Sequence, residues 1–502
     1  MRALLISTYD LGRQPLGLAS PAAWLRQAGI EVDCADTSRE RIDDGRIVAA
    51  SLVGFYLPMH TATRLAAPLI DRVRRVNPSA RLCAYGLYAS LNAHWLRERG
   101  VTDVLGPEAE HELVELACGR ITRPKAQGPS HRSQAQGLES DAATFNSERS
   151  WSNATSLVPK ARRPIIQPDR TGLIPLERYA SLRMPDGRRR TIGSTDATRG
   201  CKHLCRHCPI VPVYRGRFRA VPIDVVLADV RVQVQAGARH ISFGDPDFFN
   251  GPTHARRVVA QVHREFPDVS YDVTIKIEHL LQHADLIPVL RSTGCLFVTS
   301  AVESVDDVVL EKLHKGHTRR DFIRAVELCR NAGLLLAPTF IPFTPWTTLE
   351  GYVGLLNSIR ELDIVEQVAP VQLGIRLLVT ADSLLLDLPE IRSRVTHFDP
   401  AALVWQWRHD DPRVDSLQST VMQIVKTLGS GDGIGRTQNA EPGIGTPDRG
   451  HCHTRAETFA AIFSVAREQT GLAPVAAPVT VGMPVPQVSE PWYCCAEPME
   501  NF

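Results

Sequence analysis

Three cysteines fall close together in the segment Cys201-Lys-His-Leu-Cys205-Arg-His-Cys208. Three thiolates at spacings of four and three residues can converge on one face of a cuboidal metal cluster. They satisfy three irons of a [4Fe–4S] cube and leave the fourth iron open to a chelating ligand. The spacing therefore predicts that Cys201, Cys205 and Cys208 hold a cluster with one open iron.

Zinc is the alternative ion for this segment, because His203 or His207 could complete a four-ligand site. Structural zinc sites usually present two separated pairs of ligands, and this chain has no second CxxC pair. A buried structural cluster would need a fourth cysteine nearby. These points favour the open cluster over the zinc site.

The motif follows a predicted strand through Thr198 and Gly200, and in this context it resembles the radical S-adenosylmethionine (SAM) superfamily. The resemblance covers about residues 188–376. It implies a cluster that binds SAM and passes one electron into its sulfonium, which gives methionine and a 5′-deoxyadenosyl radical. Family members often carry an aromatic residue against the adenine just before the third cysteine, and here that position is His207.

The resemblance also assigns residues at the ends of later strands. Gly244-Asp245-Pro246-Asp247 takes the place of a Gly-Gly-Glu-like turn that binds the methionyl amine, since a carboxylate suits an ammonium; a plain turn is the alternative. Arg376 is expected either to meet a carboxylate or to be solvated. The residues implied to contact SAM are His207, Gly244, Asp245, Pro246, Asp247, Glu303, Ser304 and Thr339.

Alternating apolar runs and helical stretches predict the α/β elements that must position these residues. Residues 1–118 are predicted to form a Rossmann-like domain, and residues 164–376 a partial (β/α)6 barrel of the radical SAM type. The six candidate barrel strands are RTIGSTDA (190–197), HISFGD (240–245), SYDVTIK (270–276), CLFVTSAV (295–302), LLLAPTFI (334–341) and VAPVQLGI (368–375).

Two stretches lack this alternation. Residues 119–163 are polar and rich in Ser, Gly, Gln and Asn, which predicts a flexible linker. Residues 377–502 form a mixed C-terminal region with a glycine-rich loop at 429–450. His451-Cys452-His453 follows that loop, and we favour an unrelated surface cluster over a metal site there.

A Rossmann-like domain before a radical barrel resembles cobalamin-binding radical SAM proteins. Cobalamin domains with a histidine ligand place Asp-x-His-x-x-Gly after the first strand, whereas this chain has Asp10-Leu-Gly12-Arg-Gln-Pro15. A cobalamin here would lack a histidine ligand from that loop. A domain that only packs on the barrel is the other interpretation, and the sequence leaves both open.

A cysteine pair lies in the segment Cys494-Cys495-Ala496-Glu497-Pro498. It resembles the tail of a radical SAM group named for ending in Cys-Cys-Ala-Glu-Pro. We predict catalytic roles for Cys494 and Cys495, by thiol–disulfide cycling, hydrogen-atom donation, metal binding or capture of a product. A tail without a role is the alternative.

The composition and net charge of the chain restrict the classes of partner that we expect. The hydrophobic fraction is 43%, the charged fraction 22% and the net charge +2, so nucleic acid is not expected as a main partner. The sequence contains no apolar run of about 18 residues, so it predicts no membrane span. We expect a cytoplasmic protein. The electron is expected from a flavodoxin- or ferredoxin-type donor. The stretch Arg215, Arg217 and Arg219 could attract such a donor, although we favour a solvated basic loop there.

The substrate cannot be read from these residues, and several functions stay open. Methyl transfer through cobalamin and direct hydrogen abstraction are two variants of a radical SAM enzyme. A non-catalytic iron–sulfur or zinc sensor is the alternative from another class. A tRNA-modifying methylthiotransferase is disfavoured, because the N-terminal cysteines are scattered at positions 34, 83 and 118.

Overall fold

The computed structural model describes residues 1–120, 163–428, 454–473 and 485–490. The first part contains a five-stranded parallel sheet in the order β2-β1-β3-β4-β5. Its strands are β1 (Arg2–Ser7), β2 (Glu31–Asp36), β3 (Leu52–Tyr56), β4 (Arg81–Tyr85) and β5 (Asp103–Val104). Its helices are α1 (Leu16–Gln27), α2 (Asp44–Val48), α3 (His60–Val76), α4 (Leu87–Leu91), α5 (Ala93–Glu98) and α6 (Glu110–Ala117).

Both faces of this sheet are covered, which explains why β1 is an unbroken apolar run. Leu4 and Ile6 pack in one apolar core, whereas Ala3 and Leu5 pack in another on the opposite face. Alternate residues of a strand point to opposite faces, so two cores require helices on both sides. The predicted Rossmann-like fold is confirmed.

The second sheet has the order β13-β12-β11-β10-β7-β6-β16, where β16 is Gln487–Val488. The neighbours from β13 to β7 are parallel, and β6 pairs antiparallel with β7 and with β16. The strands up to β13 are β6 (Ser181–Arg183), β7 (Arg189–Thr195), β8 (Thr198–Gly200), β9 (Phe218–Ala220), β10 (His240–Phe243), β11 (Ser270–Thr274), β12 (Cys295–Glu303) and β13 (Leu335–Phe340). The short strands β8 and β9 form a separate antiparallel ribbon.

Helices follow the parallel strands and bury one face of the sheet, as expected for strand–helix units. They are α7 (Ile210–Tyr214), α8 (Ile223–Gln235), α9 (Pro252–Glu265), α10 (Ile277–Gln282), α11 (Ile287–Ser292), α12 (Asp307–Lys312), α13 (Arg319–Asn331) and α14 (Leu349–Glu361). Five of the six predicted barrel strands lie where the sequence placed them, within a few residues.

The sixth predicted strand, residues 368–375, is wrong. The chain there forms the 3-10 helices Val365–Gln367 and Pro370–Leu373, and the only ladder contact is an isolated bridge from Phe343 to Arg376. Pro370 lacks a backbone N–H for a ladder, which disfavours a strand at this position. The half-barrel therefore has five parallel strands and an open side next to β13.

The C-terminal elements pack on both sheets. They are β14 (Val395–Asp399), β15 (Val404–Trp407), α15 (Pro389–Arg392), α16 (Pro412–Leu428), α17 (Arg455–Gln469) and β16 (Gln487–Val488). The β14–β15 hairpin reaches the N-terminal sheet, where Trp95 Nε1 donates to Pro400 O at 3.1 Å. The segment 485–490, here called the strap, pairs with β6 through Gln487 and Val488.

His60 makes a second contact to the hairpin, and it predicts a dependence of stability on pH. Its Nε2 lies 2.6 Å from Ala402 O, and burial lowers the pKa of His60 from 6.5 to about 4. Because the pKa of His60 is lower in the folded protein than in the unfolded one, neutral His60 stabilises the fold fully above about pH 6.5. This stabilisation is lost as the pH falls through about 4, and the loss is at most about 3 kcal/mol.

We expect His60→Gln to lose less stability between pH 7 and pH 4.5 than wild type does, because glutamine does not titrate and can still donate to Ala402 O. Urea unfolding at pH 7 and at pH 4.5 measures it, because the other titrating groups cancel between the two proteins. An equal difference between the two pH values in wild type and variant would contradict the assignment.

Several predictions fall outside the described residues. Most of the predicted linker, the glycine-rich loop 429–450, the His451–His453 cluster and the Cys494–Cys495 pair lie there. Within the described ranges, no helix is both long and apolar enough to cross a bilayer.

Candidate functional site

The three cysteines lie on one loop, residues 201–208, here called the cysteine loop. It begins directly after β8 and carries Cys201 and Cys205 buried and Cys208 half-buried. Gly200 precedes it with φ +82°, and a Cβ there would lie 2.4 Å from Tyr214 Cδ1 and 2.6 Å from Arg217 O. Only glycine fits this turn, so the sequence fixes how the chain enters the loop.

Two neighbouring segments hold the loop in place. Asn250, after β10, accepts from Lys202 N at 3.1 Å and donates to Gly200 O at 3.1 Å. The stretch after α12 accepts from Arg206, whose backbone N lies 3.0 Å from Leu313 O. The loop is therefore anchored to the carboxyl ends of barrel strands, where active sites of this architecture lie.

The sulfur positions separate a cluster from zinc. In the described part of the chain, three His, Cys, Asp or Glu ligand atoms lie within 4.8 Å of one another only at His203, Asp247 and His279. A tetrahedral Zn–S site with bonds of about 2.3 Å would hold its sulfurs about 3.8 Å apart. At least one pair of the three sulfurs in the cysteine loop is therefore more than 4.8 Å apart, which is farther than a zinc site of this kind holds its sulfurs.

The two histidines of the loop are engaged with other groups. His203 Nε2 lies 2.9 Å from Asp247 Oδ2, and His203 Nδ1 lies 3.2 Å from Lys276 Nζ. His207 Nε2 lies 3.1 Å from Glu303 Oε1. Of the two expected zinc ligands, His203 has both nitrogens in hydrogen-bond contact elsewhere, whereas His207 keeps Nδ1 without a hydrogen-bond partner among the described residues. The three cysteines fit a cluster with an open iron.

His203, Asp247 and His279 form a compact polar group beside the loop. Asp247 Oδ2 lies 2.6 Å from His279 Nδ1, and Asp247 Oδ1 accepts from Phe249 N at 3.0 Å. These separations are those of hydrogen bonds, shorter than the about 3.3 Å between ligands of one tetrahedral metal. Asp247 therefore ties the cysteine loop to β10 and to α10, and its carboxylate is not free for SAM.

Asp245 has a different role from the one the resemblance implied. Its carboxylate is buried and accepts from Ala197 N at 2.9 Å, Thr198 N at 2.5 Å and Thr198 Oγ1 at 2.6 Å. These three donors occupy it, so we do not assign the methionyl amine to this side chain. Asp245 is a positioning residue that fixes the strand leading into the cysteine loop.

The rest of that turn presents backbone. Gly244 is exposed, and Pro246 is partly exposed. Gly244 must lack a side chain, because a Cβ there would lie 2.5 Å from Asp196 Oδ1. The accessible group at this turn is therefore the peptide backbone.

Glu303 ends β12 as a buried carboxylate with φ +70°, a conformation that non-glycine residues rarely adopt. Its Oε1 accepts from His207 and from Lys315 Nζ at 3.4 Å. Burial raises its pKa, but the Lys315 charge and the His207 hydrogen bond outweigh burial and lower the pKa to about 2. Its Oε2 is buried with no hydrogen-bond partner among the described residues, as expected of a group that awaits a ligand.

Ser304 and Thr339, the other implied contacts, differ from each other. Ser304 Oγ accepts from Asp306 N at 3.1 Å in the turn before α12, and Asp306 is the residue that caps this helix. Thr339 Oγ1 is buried without a hydrogen-bond partner in the described chain, next to β12. Of these two, Thr339 is the one with an open polar atom.

A cavity lies along the inner face of the half-barrel and is called the chamber below. Its floor is formed by side chains of the parallel strands, and its cover by residues 11–13, in the loop after β1, and by the strap. Glu490 closes one corner, where a Cβ on Gly12 would lie 2.2 Å from its Oε2, and Arg39 binds Glu490 at 2.7 Å. The chamber reaches Thr339, at the strand ends near the cysteine loop.

The N-terminal domain forms two ion pairs with the β8–β9 ribbon, from which the cysteine loop extends. Glu110 binds Arg199 of β8 at 2.6 Å, and Glu108 binds Arg219 of β9 at 2.9 Å. This contact explains the acidic segment 107–113. Arg219 is therefore not available to a donor protein, which corrects the predicted basic stretch. Arg376 meets a carboxylate of the chain itself, Asp415, at 2.6 Å.

Sequence reasoning missed four polar residues at this site: Lys276, His279, Lys315 and His317. His317 is buried with neither ring nitrogen hydrogen-bonded to a described residue, and burial, then the Lys315 charge, lowers its pKa to about 3. Lys315 and His317 lie in the polar stretch LEKLHKGHT (310–318), where a lysine and a histidine close together were the available signal. Lys276 and His279 directly follow β11, a position that could have marked them.

The loop after β1 would be the site of a histidine ligand in a cobalamin domain. Leu11 has φ +51° and Gly12 φ +66°, and both line the chamber. Behind the loop, Tyr85 Oη donates to Gly17 O at 2.8 Å, and a Cβ on Gly17 would lie 2.1 Å from the Tyr56 ring. The space behind the loop is filled by tyrosine rings, so a corrin could contact this loop only from the chamber side.

Comparisons with known proteins agree with this geometry. Residues 196–353 match the family model of the radical SAM superfamily. The chain is 25% identical over 193 residues to a tRNA-2-methylthio-N(6)-dimethylallyladenosine synthase of Fusobacterium nucleatum, and 24% identical over 193 residues to an uncharacterized methyltransferase of Pyrococcus horikoshii. These matches cover 34% and 38% of this chain, and only 41% and 40% of the two relatives.

Two solved structures share the fold over most of the chain. The radical SAM methyltransferase TsrM from Kitasatospora setae, with cobalamin and a [4Fe–4S] cluster bound, has a TM-score of 0.53 at 20% identity and covers 72% of this chain and 70% of that chain. The cobalamin-dependent radical enzyme OxsB has a TM-score of 0.62 at 13% identity and covers 87% and 69%.

At such identities these structures establish the arrangement of a Rossmann-like domain, a half-barrel and a C-terminal region. The family match covers the cysteine loop and the strands that present Glu303 and Thr339. The chain is therefore similar to the radical SAM superfamily over residues 196–353.

Proposed function

We propose that the chain is an enzyme that cleaves SAM reductively and starts radical chemistry on a substrate in the chamber. The observation that carries the proposal is the cysteine loop. It offers three thiols, and its histidines His203 and His207 contact the carboxylates of Asp247 and Glu303. When bound there, a [4Fe–4S] cluster supplies the electron that splits the SAM sulfonium into methionine and a 5′-deoxyadenosyl radical.

The side chains near the loop then have distinct tasks. Glu303 Oε2 is the buried acceptor for a donor of SAM, held in its charged form by Lys315 and His207. The methionyl ammonium meets the backbone of Gly244, since Asp245 and Asp247 are committed to the protein. Thr339 Oγ1 offers a hydrogen bond beside the adenosyl group.

Methyl transfer through cobalamin is the second candidate, supported by the fold shared with TsrM and OxsB. In this chain the residues that would contact a corrin are Leu11, Gly12 and Arg13, which face the chamber. None of them is a histidine, so this loop would hold the cofactor without a histidine ligand. Direct hydrogen abstraction without cobalamin is the other variant.

Anaerobic reconstitution with iron and sulfide, followed by dithionite and SAM, tests the proposal. We expect about four irons per chain and formation of 5′-deoxyadenosine. Tight zinc binding with no iron uptake would instead support the sensor. Cobalt content of protein produced with cobalamin and purified anaerobically separates the two enzyme variants.

Two other functions have less support. A sensor has no need of a pocket for a cosubstrate, whereas this chain keeps a buried open oxygen at Glu303 and a chamber beside it. A methylthiotransferase with a second cluster would need more grouped cysteines; here Cys34 and Cys83 are packed in an apolar core and Cys118 is exposed after α6.

We also propose a chemical role for Cys494 and Cys495, which lie outside the described residues. Glu490 lines the chamber and is four positions before Cys494. A chain of four residues spans at most about 14 Å, so the first thiol is within reach of the chamber corner. Trapping either thiol with iodoacetamide during turnover, with and without SAM, tests this reach.

The electron donor is proposed to dock on the outer face of the cysteine loop. Leu204 and Phe218 are exposed there, 48% and 38%, and the exposed cations Lys202 and Arg217 flank them. An apolar centre with a basic rim suits a small acidic flavodoxin- or ferredoxin-type protein. Arg217 belongs to this surface, whereas Arg219 does not, because it is paired with Glu108.

Charge reversal tests that surface. We expect Lys202→Glu and Arg217→Glu to slow SAM cleavage driven by reduced flavodoxin by about 5- to 10-fold at low salt, because a rim charge acts on association. Cleavage driven by dithionite should be unchanged. Arg75→Glu, on an exposed part of α3, is the control. Equal slowing with both reductants would contradict the docking surface.

We further propose that the chain works in the cytoplasm and divides near residues 118 and 164. The described cysteines form no disulfide, as expected in a reducing compartment. The two sheets have separate apolar cores. Nucleic acid stays an unexpected partner, given the net charge of +2.

A further inference from the structure

The floor of the chamber carries one carboxylate, Asp272, in the middle strand of the five parallel strands. Inward positions of a barrel strand are usually apolar or small, so a buried acid there requires an explanation. Only 7% of its side chain is exposed. Neither the cysteine loop nor the contacts proposed for SAM use it.

One oxygen of Asp272 is fixed by the protein. Oδ1 accepts from Ser242 Oγ at 2.5 Å and is paired with His240 Nε2 at 2.9 Å. His240 is itself held, because its Nδ1 lies 2.8 Å from Ser270 Oγ, to which Arg190 donates at 2.7 Å. This chain of contacts orients the carboxylate before any ligand arrives.

The other oxygen is open. Oδ2 has no hydrogen bond to any residue in the described ranges, although Asp272 is 95% buried and lines the chamber. Since the rest of the side chain is enclosed, Oδ2 is approached from the chamber, and a carboxylate oxygen in such a place needs a donor there. A donor on a bound ligand is the natural partner.

Two hydroxyls complete the group. Thr274 follows Asp272 on the same face of β11, and Thr299 of β12 is its register partner. Neither hydroxyl makes a hydrogen bond within the described chain. Three acceptors in one patch match the three N–H donors of an ammonium, which has no acceptor of its own.

We propose that Asp272, with Thr274 and Thr299, binds a protonated primary amine of the substrate. This inference rests on the proposed function, because it places the amine in the chamber that extends from the SAM contacts. The amine is held by the fixed carboxylate, and the substrate's remaining atoms extend along the strands toward Thr339. The substrate class is thus a molecule or side chain that carries a primary amino group.

Binding of butylamine, compared with 1-butanol, tests the site on the full reconstituted chain with SAM. Calorimetry is expected to show butylammonium binding at least about tenfold more tightly than butanol, because hydrogen bonds to a charged acceptor are the stronger ones. Asp272→Asn should lose at least about tenfold in butylammonium affinity. Asp268→Asn, an exposed acid before β11, is the matched control and should bind as wild type.

Thr274→Val serves as a second variant in case Asp272→Asn does not fold, and we expect it to weaken butylammonium binding about threefold or more. Equal affinity for amine and alcohol in wild type, or an unchanged affinity in the variants, overturns the inference. Formation of 5′-deoxyadenosine by the same wild-type sample is measured separately. If wild type cleaves SAM yet shows no preference for the amine, only this inference fails; if it cannot cleave SAM, the proposed function fails.

Discussion

Cys205→Ala is expected to abolish SAM cleavage while leaving the fold intact. Cys205 is buried in the cysteine loop, and its thiolate is one of the three predicted iron ligands. Losing a ligand should lower activity by more than the about 10- to 100-fold typical of losing an outer hydrogen bond to a metal site. We therefore expect 5′-deoxyadenosine at the background of an assay without enzyme, and a loss of iron and of brown colour.

The fold should tolerate this change, because replacing one buried sulfur with hydrogen costs only about 1 kcal/mol. Circular dichroism and urea unfolding of protein without iron measure that cost. Cys118→Ala removes an exposed cysteine and is the matched control, with iron and activity as in wild type. SAM cleavage that persists in Cys205→Ala would remove the basis of the proposed function.

Asp245→Asn is expected to destabilise the protein and to weaken retention of the cluster. The carboxylate accepts from Ala197 N, Thr198 N and Thr198 Oγ1, whereas an amide would turn N–H groups toward some of these donors. Breaking a buried polar network in this way costs about 3 kcal/mol. Urea unfolding measures the loss, and iron per chain after gel filtration measures retention.

The control for this change is again Asp268→Asn, which alters the same chemical group on the surface and should cost less than about 0.5 kcal/mol. If Asp245→Asn unfolds like wild type but no longer binds SAM, the residue contacts SAM directly. That result would restore the role the resemblance implied and would refute the positioning role.

The cysteine spacing and five of the barrel strands could be predicted because both signals are local. Cys201, Cys205 and Cys208 lie on one loop, and apolar runs such as CLFVTSAV mark buried strands wherever they pack. The prediction of a sixth strand failed because it relied on the apolar residues of 368–375. Pro370 and Gly374, which both disfavour a strand, do not change that apolar pattern. Burial there comes from packing against α16 and α17 rather than from strand pairing.

Partners of charged residues could not be predicted from the sequence. Asp245 has the chemistry of an ammonium ligand, but its partner is decided by which backbone N–H groups the fold brings near, and those belong to residues 197 and 198. Asp272 carried a usable signal, since SYDVT alternates polar with apolar residues and so places an acid on the face opposite the apolar core. Lys315 could not be assigned from the sequence, because its contact with Glu303 requires the tertiary fold.

The chamber is bounded by residues 11–13, by the barrel strands and by the strap at 485–490, which are distant in sequence. During synthesis the N-terminal sheet and the barrel leave the ribosome before the strap, and domains generally fold in that order. The nascent barrel is therefore uncovered on one side for as long as translation of the C-terminal region lasts. The chamber that contains Asp272 is therefore completed only after the C-terminal region has been made.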